Sequence, residues 1–193
     1  MSALNRIGTI AAAAALLLQP TLAWAQAAPA APPPRDGSHD FDFLIGSWKA
    51  HVRRLPERLV GSTTWIEYDG ASIHRKVLDS NANLEDFDVE TADRSKAIHG
   101  ETLRLYNRVS GQWSIYLVDL AEGTLGLPPV VGRFTEGRGE FYDQEDFKGR
   151  KILVRYQWTH SGNDKALMQQ AFSDDGGKTW EVNWICELTR VGR

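Results

Sequence analysis

The heptapeptide Ile152-Leu153-Val154-Arg155-Tyr156-Gln157-Trp158 carries the clearest structural signal in the chain. Ile152, Val154, Tyr156 and Trp158 fall on one face of an extended strand, and Arg155 and Gln157 fall on the other. A period of two marks a half-buried β-strand, since successive side chains point to opposite sides. Working outward, similar segments lie near 44–54, 62–69, 72–79, 101–107, 112–119, 130–135, 138–142, 166–173 and 180–190. Turn signals separate them at Asp69-Gly70, Ser110-Gly111, Glu136-Gly137, Ser161-Gly162-Asn163-Asp164 and Asp175-Gly176-Gly177. About ten short strands joined by tight turns predict an all-β meander, which either closes on itself or folds into a sandwich; the expected fold is a single antiparallel up-and-down barrel. Closing the sheet removes the unpaired edges that invite aggregation. The stretch Asn81–Ala97 is acidic and weakly patterned, and reads as a lid loop, a broken strand or an interaction loop.

The N-terminus reads as an export signal. Arg6 supplies the charge, residues 7–18 an apolar run, and Ala23-Trp24-Ala25 a small–x–small cleavage pattern. The run falls short of the roughly 20 apolar residues of a membrane span. Residues 1–25 are thus expected to be removed, leaving no membrane insertion and a periplasmic or secreted protein. Residues 26–38 form an Ala/Pro-rich linker, and residues 39–193 the barrel domain. The net charge of −3 argues against a nucleic-acid partner, which needs a concentrated basic footprint. With Cys186 as the only cysteine, neither an internal disulfide nor a Cys-based zinc site can form. The five histidines show no metal-ligand spacing, and no cofactor motif is present.

The segment Phe41-Asp42-Phe43-Leu44-Ile45-Gly46-Ser47-Trp48 opens the domain. It resembles the Gly-x-Trp start of lipocalin-like (calycin) barrels. It resembles more closely a bacterial secreted family of unknown function that opens with Phe-Asp-Phe-x-x-Gly-x-Trp. The likeness continues through Asn81-Ala82-Asn83 with Glu85, through Gly111 to Tyr116, and through Trp184 to Arg190. It implies a barrel and no particular reaction. It also implies that Arg190 packs across Trp48, with Gly46 bending the chain into the first strand. Ser173 to Trp180 matches the Asp-box, in which Asp175 bonds turn amides and Trp180 packs beneath the hairpin. One copy in so short a chain argues against a propeller.

The inner faces suggest a cavity for a small hydrophobic or aromatic ligand. Tyr156, Trp158, Met168 and Trp184 would supply contact area, while Gln170, Arg75 and Tyr116 would orient the ligand. A ten-stranded ring is wider than the eight-stranded case that side chains alone can fill. The expected function is therefore small-molecule binding. One alternative is a metal-independent isomerase, lyase or hydrolase using Glu67, Glu85 or His74 as acid or base. Another is a haem-binding barrel using His74 or His99.

Overall fold

A computed structural model describes residues 35–78 and 81–191. The proposed signal segment and most of the linker lie outside these residues. A short 3-10 turn, Asp42–Leu44, precedes eleven strands: β1 (Gly46–Arg54), β2 (Ile66–Lys76), β3 (Ala82–Glu90), β4 (Ala97–Asn107), β5 (Gln112–Asp119), β6 (Thr124–Leu125), β7 (Val130–Thr135), β8 (Arg138–Phe147), β9 (Arg150–Ser161), β10 (Lys165–Ser173) and β11 (Glu181–Arg190). Each pairs antiparallel with its neighbours, and β1 pairs β11 while β4 pairs β5. These pairings close a ten-stranded up-and-down barrel, with β6 as a two-residue appendage on β5.

The sequence segments 62–69 and 72–79 are one strand, β2. Asp69-Gly70 is not a turn: it runs on through the ladder between Ala50 of β1 and Val89 of β3. A Cβ on Gly70 would lie 2.1 Å from the Asp88 carbonyl oxygen, so the glycine serves a close backbone approach within the strand. The stretch 81–97 is likewise neither lid nor broken strand. It forms β3 and its turn into β4. Inward Asn83 and Glu85 interrupt its apolar alternation, which hides the strand from a hydrophobic-period reading.

The end of the barrel where the chain enters is solid. Phe41 is fully buried and meets the rings of Trp113, Phe134, Phe141 and Trp158 at 4.9–5.9 Å between centroids. Trp113 Nε1 donates to the Gly37 carbonyl at 2.9 Å, tying the entering segment to β5. Trp48 points inward and donates from Nε1 to Leu44 O. The Arg190 guanidinium lies 4.1 Å from the Trp48 ring and donates to the carbonyls of Phe43, Ile45 and Asn163. Gly46, at φ 124°, leaves the space that this guanidinium fills, because a Cβ there would come within 2.7 Å of it. The Asp175 carboxylate accepts from the Lys178 and Thr179 amides and from the Ser173 and Thr179 hydroxyls, as the Asp-box reading expects. Trp180 packs on the outer wall, under Arg155 at 4.4 Å and against Tyr142.

Candidate functional site

Away from that plug, some inward side chains pack on the core without being fully covered. Phe87 of β3, Met168 and Gln170 of β10 and Trp184 of β11 all face inward yet keep part of their surface in solvent. Phe87 and Trp184 approach to 6.2 Å between ring centroids. Tyr156 and Trp158, also inward, are buried beside them.

The wall itself is incomplete, and the short β7 explains why. It pairs β5 only from Trp113–Gly132 to Ile115–Val130, whereas upper β5 carries the small β6 instead. The β7–β8 ladder ends at Val131–Tyr142, so β8 beyond Asp143 has only β9 as a neighbour. A cleft of about 410 Å³ occupies the gap, lined by Ile115, Leu117, Pro128 and Val130 on one side and by Asp143 and Glu145 on the other. Leu117, at 47% exposure, stands at its edge.

Charge gathers at this mouth. Burial, and then the neighbouring Asp143, raises the Glu145 carboxyl above the usual glutamate range, against the pull of Arg58. Burial pushes the Tyr156 phenol well up, with Glu145 adding to the effect. Arg58 lies 5.0 Å over the Phe172 ring, and burial followed by Arg54 lowers its pKa. Apolar Ile115, Leu117, Pro128 and Val130 thus face acidic Asp143 and Glu145 across the cleft.

Deeper in the barrel lies a buried polar girdle. Ser72 and His74 of β2, Asn83 and Glu85 of β3, and Arg104 of β4 are all buried. Their contacts form a directed ring, in a tautomer assigned from the contacts themselves. Arg104 donates to the Glu85 carboxylate, to Asn83 Oδ1 at 3.2 Å and to His74 Nδ1 at 3.4 Å. His74 Nε2 then donates to Ser72 Oγ at 2.8 Å, and that hydroxyl donates to Glu85 Oε1 at 2.7 Å. Burial holds His74 down to about 4, with Glu85 opposing and Arg104 assisting. Burial alone would raise Glu85; the Arg104 charge, His74 and the hydrogen bonds from Ser72 and Arg104 outweigh it and hold the carboxyl at about 2. His74 is therefore neutral and Glu85 ionised at pH 7.

Both shifts make folding acid-sensitive. The unfolded chain takes up the His74 proton below about 6.5, the folded chain only near 4, so stability falls as pH drops through that window. The Glu85 contribution is complete above about 4.5 and is lost as pH falls toward 2. Urea midpoints measured from pH 7 to pH 4 should decline, with a histidine contribution of ~2–3 kcal/mol. His74→Gln should flatten the decline between pH 6.5 and 4.5. An unchanged slope in that variant would refute the assignment.

Of the acid–base residues singled out in the sequence, His74 and Glu85 meet in this ring, but Glu67 is exposed on the outer wall beside Arg53. Arg75 is also outside, 51% exposed and paired with Asp86 at 3.1 Å. Tyr116 alternates with the buried Ile115 and so faces outward. Strand parity decides all three. Neither Arg75 nor Tyr116 reaches Gln170, which donates instead to Asn183 Oδ1 at 2.7 Å. His99 is exposed on the outer wall and paired with Asp88, and both ring nitrogens of His74 are engaged, so neither is poised as a haem ligand. Among the described residues no group of three or more His, Cys, Asp or Glu could hold a metal ion. Cys186 is buried and its thiol is pushed up by burial, away from reactivity. Sequence reasoning missed Ser72, Asn83 and Arg104. Their signal was the i, i+2 spacing of polar residues, Ser72/His74 and Asn83/Glu85, on adjacent strands.

No family model matches the chain, and no curated protein matches it. Among solved structures, an S-type phycobiliprotein lyase from Guillardia theta is similar, with a TM-score of 0.55 and 14% identity over 83% of this chain and 96% of that one. A protein denoted EF1p2_mFAP2b, solved bound to DFHBI, overlaps 80% of this chain and 99% of its own with a TM-score of 0.41 and 11% identity. At such identities the likeness is one of fold: the chain is a closed, lipocalin-like antiparallel β-barrel.

Proposed function

We propose that this protein is a periplasmic binding protein for a small apolar or aromatic molecule, held against the partly covered inner surface of the barrel and admitted through the gap between β5 and β8. The observation that carries this reading is the division of the interior. One end is filled by the protein's own aromatic rings, whereas Phe87, Met168 and Trp184 face inward, pack against the core and still keep part of their surface in solvent. Inward apolar surface left wet is surface a guest can bury at roughly 25 cal/mol per Å². The export-type leader supports a periplasmic location, and the opening and closing motifs support membership of the secreted bacterial family they resemble. The girdle supports binding over turnover, because His74, Ser72 and Glu85 spend their polar atoms on one another and on Arg104 beneath buried side chains.

Native mass spectrometry of protein purified from its own host should reveal a co-purified small molecule. Titrating that molecule should quench tryptophan emission, and Trp184→Ala should weaken binding about tenfold, the effect of losing ~1.4 kcal/mol of aromatic contact. Trp180→Ala, on the outer wall, should not. Absence of any bound molecule, together with no quenching by small aromatic compounds, would sink the proposal.

A further inference from the structure

Two buried donors lie together in the barrel without acceptors. Arg104 Nε and Trp158 Nε1 have no hydrogen-bond partner among the described residues, although their residues are only 1% and 4% exposed. The Arg104 guanidinium carbon lies 5.4 Å from the Trp158 ring centroid, so the two side chains pack against each other in the interior. The other arginine nitrogens are committed, Nη1 to Asn83 and His74 and Nη2 to Glu85. Trp158 pairs across the ladder with inward-facing Met168, which stays partly exposed, so the incompletely covered inner surface adjoins the strand pair that carries this indole. Buried polar groups in native proteins nearly always find partners, and an exception calls for one.

We infer that Trp158 and Arg104 form the recognition point of the site, where their two free N–H groups receive a neutral oxygen acceptor of the ligand, such as the carbonyl of a ketone, aldehyde, ester or amide. This rests on the binding function proposed above and narrows its ligand class. The polarity follows from the donors, since two N–H groups can be satisfied only by lone pairs. The neutrality follows from charge. Glu85 already compensates Arg104 and His74 is uncharged, so a carboxylate or phosphate would bring an unbalanced buried charge. A carbonyl on a flat apolar body meets both requirements.

The test uses a matched pair of probes, fluorenone and fluorene, which differ in a carbonyl against a methylene. Titrations of the full chain are followed by tryptophan fluorescence and by the indole N–H resonances of 15N-labelled protein. Fluorenone should bind at least tenfold more tightly than fluorene, and it alone should move the Trp158 indole signal downfield. Trp158→Phe keeps an aromatic ring and removes the N–H, and should bring the two affinities close together. Equal affinities in the parent protein, or tight fluorenone binding with the Trp158 resonance unmoved, would overturn the inference while leaving a ligand-binding barrel intact. Binding of neither probe up to its solubility limit would count against the binding function itself, and the recognition point would fall with it.

Discussion

Arg104→Met should lower the stability of the barrel by about 3–5 kcal/mol, the range for removing one partner of a buried ion pair. The variant would leave an ionised Glu85 in the interior with only the Ser72 hydroxyl donating to it, and would strip the donor from Asn83 and from His74 Nδ1. For a domain of this size that loss corresponds to a melting temperature lower by roughly 10 °C. The pair need not itself be strongly stabilising, because much of the penalty comes from the stranded charge. The double variant Arg104→Met with Glu85→Gln should therefore recover a large part of the loss. Thermal and urea unfolding of the two single variants and the double variant form the required cycle. A single variant within about 1 kcal/mol of the parent would show that water reaches the girdle and screens it.

Phe41→Ala should be comparably damaging, at about 3–5 kcal/mol. Its ring is the central contact of the closed end: it stacks on Phe141 at 5.5 Å, meets Trp113 and Phe134 edge-on at 5.1 and 4.9 Å, and lies 5.2 Å beneath the Arg104 guanidinium. Truncation would open a void that the closed sheet is poorly able to collapse around, since its strands are tied on both sides. Phe41→Leu should cost distinctly less. Near-ultraviolet circular dichroism should register the loosened indoles in the alanine variant, with the far-ultraviolet β signal retained. If Phe41→Ala instead unfolds at the parent midpoint, the entering segment is not the plug described here.

Much of the barrel is visible in local patterning because both faces of each strand follow a simple rule where one side is apolar. Ile152 to Trp158 shows it, whereas the Arg190–Trp48 contact at the ring's closure was implied only by the resemblance of the opening segment to calycin barrels. The rule fails where the inner face is polar. Ser72, His74, Asn83, Glu85 and Arg104 are inward-facing and charged or hydrogen-bonding, so the pattern of β3 does not distinguish a strand from a lid or an interaction loop. Arg104 lies between Leu103 and Leu105, and local alternation there would send the leucines inside; the structure turns the arginine in and leaves Leu105 38% exposed. Glycines misled in the same way. Asp69-Gly70 has turn chemistry, yet its neighbours on both sides hold it in the ladder.

The candidate site was partly legible. Tyr156, Trp158, Met168, Gln170 and Trp184 share the interior because consecutive antiparallel strands, once paired in register, carry their parity across. Arg75 and Tyr116 were misplaced because parity within an isolated strand does not say which side of the sheet becomes the inside. Only closure assigns that.

By itself the amino-acid sequence determined the β class and the approximate strand number, since these follow from a two-residue period and short-range turn chemistry. Tertiary structure alone decided that one end of the interior is packed solid while Phe87, Met168 and Trp184 stay partly exposed, that the wall parts beside the short β7, and that His74, Glu85 and Arg104 meet. Those outcomes depend on residues brought together from distant strands, and on a register that exists only once the ring has closed.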